Sequence, residues 1–216
     1  MKEKKSIISE QTKDKWKYAF YTVNHPADAF YEIRHRDRGS VPVAIILVII
    51  FSICFSINRM SASFIVNDIE PRSVDSLKEL ISVLLFYLLI CVGNWSITCL
   101  MEGKGRLKDI AIAIGYSTIP ATVCIALGTI LSQFVTEDEG AFYYMVVGIG
   151  VAYTCFMMLV GVMTVHNFSL GKTLVTLLLT LVAMLLIIFI VLLFFDLIGQ
   201  VYSFLHSIYQ ELLYRT

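Results

Sequence analysis

Five apolar runs, each about 20 residues or longer and almost free of charge, set what this chain can fold into. They lie at about residues 41–64, 80–101, 109–134, 142–165 and 173–198. A run of that length spans a bilayer as a helix, because only a helix or a closed barrel satisfies every backbone N–H and C=O without water. The expected fold class is therefore an all-α integral membrane bundle of about five transmembrane helices. Only 16% of the 216 residues are charged, against about a quarter in soluble domains. The formal net charge of zero argues against nucleic acid as a partner and leaves the lipid bilayer as the first one.

Basic residues orient such a bundle, since loops rich in Lys and Arg stay in the cytosol. Segments 1–40, 102–108 and 166–172 hold 13 of the 17 Lys and Arg residues; segments 65–79, 135–141 and 199–216 hold three, and Arg59 falls inside a span. This places the N-terminus in the cytoplasm and, after an odd number of spans, the C-terminus outside a cell membrane. Arg59 is expected to snorkel to the headgroups. The polar stretch before the first span is too long for the basic region of a signal peptide, and Ser61-Ala62-Ser63 reads as part of a retained span rather than a cleavage site.

Residues 1–40 form a cytosolic amphipathic segment. Trp16, Ala19, Phe20 and Val23 recur at helical spacing, and a second short helix is expected from Pro26, showing Phe30, Tyr31 and Ile33. Such helices suit a membrane surface, or equally a cap folded on the rest of the protein. Residues 199–216, with Tyr202, Phe204, Leu205, Ile208, Leu212 and Leu213, read as an interfacial C-terminal helix.

No catalytic constellation emerges. Cys54, Cys91, Cys99, Cys124 and Cys155 all lie in apolar runs without a CxxC pair. His25, His35, His166 and His206 have no metal-ligand spacing, and neither a metal nor a cofactor is expected. Ser117 and His166 fall at different depths, which opposes a nucleophile–base pair. Asp109, Arg59 and Asp196 sit near span ends. An ion-coupled carrier would need charged groups at mid-depth.

Helix-contact devices are present instead. The third span carries Gly115-Tyr116-Ser117-Thr118-Ile119-Pro120. Pro120 should kink it, freeing the Tyr116 carbonyl for a hydroxyl or amide on a neighbouring helix, with Asn94 as one candidate. Gly115 permits close approach by another helix. In the second span, Asn94 calls for an interhelical bond, and Trp95 fits an aromatic belt only loosely. Gly148 and Ala152 make a small-xxx-small pair in the fourth span. The loop 102–108 holds Lys104, Arg106 and Lys108 around two glycines, a topology signal or a docking site for an acidic partner. The candidate partner-binding residues are Gly115, Tyr116, Ser117, Pro120, Asn94, Trp95, Lys104 and Arg106.

Five spans after a cytosolic segment, with Gly115, Tyr116 and Pro120 in the third, resemble the Yip family of Ypt-interacting proteins. Pro26, Phe30 and Ile33 look like the Pro-x-x-x-Phe-x-x-Ile lead of its prokaryotic branch. The likeness runs over roughly residues 24 to 198. Eukaryotic relatives serve vesicle traffic and contact Rab-type GTPases, but their Asp-Leu-Tyr-Gly-Pro element is absent here, which counts against a GTPase partner. Some prokaryotic relatives accompany ABC-type transporters. The resemblance thus implies a non-enzymatic membrane scaffold or transporter accessory subunit that binds another integral membrane protein. The alternative is a channel or carrier for a neutral solute.

Overall fold

The structure, a computed structural model, describes residues 14–214. Lys2, Lys4, Lys5, Lys13 and Arg215 of the charge count lie outside the described residues. Within them the chain is helical, with no strand: α1 (residues 14–24), α2 (Pro26–Arg36), α3 (Val41–Ser61), α4 (Ser76–Leu100), α5 (Leu107–Ser117), α6 (Ile119–Leu131), α7 (Gly140–His166) and α8 (Leu170–Tyr214). Five stretches are long and apolar enough to cross a membrane: α3, α4, α5 with α6, α7 and α8. This is the all-α bundle that the apolar runs dictate.

Local chemistry fixes the ends. Asp75 caps α4, its Oδ1 accepting from the N–H groups of Leu77 and Lys78 at 3.1 and 3.2 Å. Asn167 ends α7 in the left-handed region at φ 56°, where asparagine is tolerated.

The α5–α6 pair forms the centre. α3 runs parallel to it, joined by Asn58 donating to Thr129 Oγ1 at 2.8 Å. α7 runs antiparallel, with Gly150 against Cys124 and Gly161 against Ala113. Tyr143 of α7 closes the acidic end by donating to Asn58 Oδ1 at 3.1 Å. One end of the bundle gathers Arg34, Arg106, Lys108 and Lys172; the other carries Asp68, Glu70, Glu137, Asp138 and Glu139. At that acidic end Arg59 pairs with Glu79 at 2.6 Å and lies over the Phe55 ring, a charge-assisted contact between α3 and α4.

The N-terminal helices fold back as an antiparallel hairpin, and the cap-like packing is the one observed. Ala19, Thr22, Ala29, Phe30 and Ile33 are buried against the bundle. Phe30 and Ile33 contribute about 1.5–3 kcal/mol each by burial. Phe20, Tyr21 and Tyr31 stay exposed. The hairpin tip reaches far along α7: Tyr153, the middle residue of Gly140–His166, donates its hydroxyl to the Val23 carbonyl at 2.6 Å. By helix rise that point is about 20 Å from the basic end of α7.

The fifth apolar helix continues without a break past Ile198 to Tyr214, so residues 199–214 extend α8 rather than starting a helix of their own. Gly199 sits inside it with nothing near its missing side chain.

Candidate functional site

The centre of the bundle is built around the break between α5 and α6. Pro120 has no N–H to give the Tyr116 carbonyl, and its ring displaces the turn before it. The helix stops at Ser117 and restarts at Ile119. The next donor, the Ala121 N–H, leaves the ladder and reaches Thr154 Oγ1 on α7 at 3.1 Å. The hydroxyls of Ser117 and Thr118 turn back onto the carbonyls of Ala113 and Gly115, each at 2.7 Å. These groups at the break are thereby tied locally or to α7, as membrane depth demands.

Just before the break, α3 crosses in close backbone contact. A Cβ placed on Gly115 would lie 2.7 Å from Ala44 Cβ and 3.1 Å from its Cα and carbonyl oxygen. Only glycine lets the two backbones meet there. Tyr116 is fully buried, and its hydroxyl accepts from the Ser40 N–H at 3.2 Å. Ser40 precedes the first turn of α3, whose N–H groups have no helical partner, so Tyr116 caps α3 from a helix 76 residues away. Gly115 and Tyr116 thus fix both the distance and the register of α3 on α5.

Beside the break lies a cavity of about 530 Å³ between α3, α4, α5, α7 and α8. Its walls are almost entirely aliphatic and aromatic, with Asn94, Ser117, Thr118, Thr154 and Thr180 as the polar lining. Asn94 is buried and bonds to α8, donating from Nδ2 to Thr180 Oγ1 at 3.2 Å. Against Gly93, Met184 of α8 fills the space where a side chain would stand.

The basic end forms an ion network. Asp109, buried at the start of α5, accepts from Arg106 Nε at 2.9 Å and from Arg34 of α2 at 3.3 Å. Arg106 and Lys108 both reach Asp37 at 2.7 Å. The Lys108 bond, then the Arg106 bond, holds the Asp37 carboxyl below the usual carboxylate range. The bond to Asp109 in turn holds the Arg106 guanidinium more firmly protonated. Gly103 and Gly105 let the 102–108 loop wrap the His166 ring, whose Nδ1 accepts from the Gly105 N–H at 3.2 Å. The network locks the N-terminal hairpin to α5.

A family model for the Yip1 domain matches residues 20–200. The chain belongs to the Yip1 domain family. No curated protein and no solved structure matches it. The Yip1 domain runs from the second half of α1 through most of α8 and so includes the hairpin tip, the break and the cavity.

Within this Yip1 domain the candidate partner-binding residues separate into two sets. Gly115, Tyr116, Ser117, Pro120 and Asn94 are enclosed by the chain's own helices. Trp95, Lys104 and Arg106 are exposed. Asn94 does not serve the Tyr116 carbonyl; Thr180 takes its amide, and Thr154 answers the break. Ser117 and His166 bond elsewhere, to Ala113 and Gly105, and are not brought together. In α7 the glycines against other helices are Gly150 and Gly161, whereas Gly148 faces open space. Sequence reasoning missed the Arg34–Asp109–Arg106 network and the Thr173, Thr176 and Thr180 stripe that α8 buries. The stripe was visible as a helical spacing of hydroxyls; nothing local marked Arg34 as the partner of Asp109.

Proposed function

We propose that this protein is a non-enzymatic membrane scaffold or accessory subunit that binds another integral membrane protein. The observation that carries the reading is the state of α8. Among the described side chains its buried residues lie between Thr173 and Met184, and every described one from Ile188 onward is exposed. Gly93 of the antiparallel α4 meets α8 at Met184, so by helix rise Ser76 is level with about residue 201. The rest of α8 therefore projects about 20 Å past α4. It carries Tyr202, Phe204, Leu205 and Tyr209 uncovered. A stretch of exposed apolar groups beyond the bundle calls for a partner surface. Trp95, Lys104 and Arg106 supply further outward-facing groups, while Gly115, Tyr116, Ser117, Pro120 and Asn94 hold the frame.

The family resemblance makes an ABC-type transporter the first partner to seek, in a cell membrane with the N-terminus cytoplasmic and the C-terminus outside. The clustering of basic residues at one end supports that orientation. Photo-crosslinking residues at Phe195 and Tyr202, followed by purification from native membranes in mild detergent, test the reading. A second membrane protein joined at both positions is expected. Recovery of the chain alone, joined only to lipid, would overturn it, and solute flux in liposomes would then favour a carrier.

A further inference from the structure

The cavity beside the helix break is lined by a few polar residues whose hydrogen-bond partners are fixed by the surrounding helices. Asn94 Nδ2 donates to Thr180 Oγ1, and Thr180 spends its own proton on the Thr176 carbonyl at 2.8 Å. Thr180 can therefore only accept from Asn94, which fixes the amide's orientation. Asn94 Oδ1 is left buried with no partner in a residue that is 1% exposed and lines the cavity. A buried amide oxygen without a donor costs free energy that a fitting ligand would recover. Thr154, which also lines the cavity, accepts from the Ala121 N–H, and its own O–H makes no bond. The protons of Ser117 and Thr118 are already spent on Ala113 and Gly115.

The shape and position agree. From Val83 to Asn94 the cavity follows α4 for about 16 Å by helix rise. Its volume of about 530 Å³ lies within the usual range for small-molecule sites. It is open on one side, and lining residues such as Phe86, Leu178 and Leu181 are themselves well exposed. These residues sit within the spans, so the opening faces the hydrocarbon and not water. Among the described residues no charged side chain lines it. A phosphate headgroup brings only acceptors and a charge, both wrong for Asn94 Oδ1.

We propose that this cavity binds an uncharged lipid bearing a free hydroxyl, of the long-chain alcohol or acylglycerol class. It enters sideways from the bilayer, lays its chain along α4 and α8, and donates its hydroxyl to Asn94 Oδ1. The hydroxyl oxygen can in turn accept from Thr154. The site does not depend on the scaffold reading, since it needs no protein partner.

The test uses the full chain in nanodiscs of uniform phosphatidylcholine. The probes are a diazirine-bearing long-chain alcohol, its methyl ether and a phosphatidylcholine with the same labelled chain. The alcohol should label cavity residues about five- to tenfold more efficiently than the ether, the difference that one hydrogen bond makes. Asn94→Leu should erase that preference. Leu181→Trp, at the exposed rim, should block all labelling of the cavity. Equal labelling by alcohol and ether in the unaltered chain would overturn the assignment, whether or not Asn94→Leu folds. Equal labelling by phosphatidylcholine, or none by any probe, would overturn it as well. Because the assay holds no other protein, its failure leaves the crosslinking result on α8 untouched.

Discussion

The crossing of α3 and α5 makes a quantitative claim about Gly115. Replacing it with alanine puts a methyl carbon 2.7 Å from Ala44 Cβ and 3.1 Å from two backbone atoms. Carbon atoms rest at about 3.5–4.0 Å, so the helices must part by roughly 1 Å. Backbone cannot yield as a flexible side chain would, and overpacking of this kind costs about 1–3 kcal/mol. Alanine's better helix propensity returns at most about 1 kcal/mol. The expected net loss is about 1–2 kcal/mol, read as a shift in reversible unfolding by SDS in mixed micelles. Ala44→Gly in the Gly115→Ala background removes the nearest atom and should restore at least half of the loss, a coupling typical of residues in contact. Gly148→Ala is the control, because a Cβ there meets nothing within 4 Å. If Gly115→Ala unfolds like Gly148→Ala, or if Ala44→Gly gives no rescue, the close crossing is not what holds α3 in place.

Three further outcomes follow from neighbouring groups. Tyr116→Phe strips the acceptor from the Ser40 N–H and should destabilise by about 1 kcal/mol, with faster hydrogen exchange at the start of α3. Thr154→Val leaves the Ala121 N–H unpaired and should cost about 1–3 kcal/mol in the same micelle titration, a loss that Thr154→Ser should largely avoid. Since its Lys108 and Arg106 bonds lower the folded-state value of Asp37, its contribution is present above the ordinary carboxylate range and lost as pH falls through that lowered value. Protection factors around α2, corrected for intrinsic exchange, should thus stay constant from about pH 5 to 8 and fall below about pH 4, and Asp37→Asn should flatten that fall.

The number of spans and the place of the break could be read along one dimension. Charge-free length and a proline each act through the backbone alone. What could not be read is who answers whom. Gly115 announces a close neighbour, but nothing nearby in the chain says that it is Ala44, 71 positions earlier. Asn94 demands a partner, and Thr180 supplies it from 86 residues away. α7 is apolar all round, so its pattern carries no phase, and Gly148 looked as suitable for packing as Gly150 and Gly161. The end of α8 was misplaced for a similar reason. Gly199 lowers helix propensity only slightly when no neighbouring element competes for the turn.

The central position of α5–α6 also bears on how the protein is made. Of its apolar window 61% is buried inside the protein, against 11% for α8. α8 can settle in the bilayer unaided. The third span is expected to settle less well alone, because it leaves the ribosome before α7 exists to cover it. At that moment the Ala121 N–H is waiting for a hydroxyl 33 residues further along, and the notch at Ala113 still lacks Gly161. The third and fourth spans are therefore expected to enter the membrane as one unit. A nascent chain arrested between them holds a span whose polar break has nothing to pair with, the form most readily retained by the insertion machinery or removed by membrane proteases.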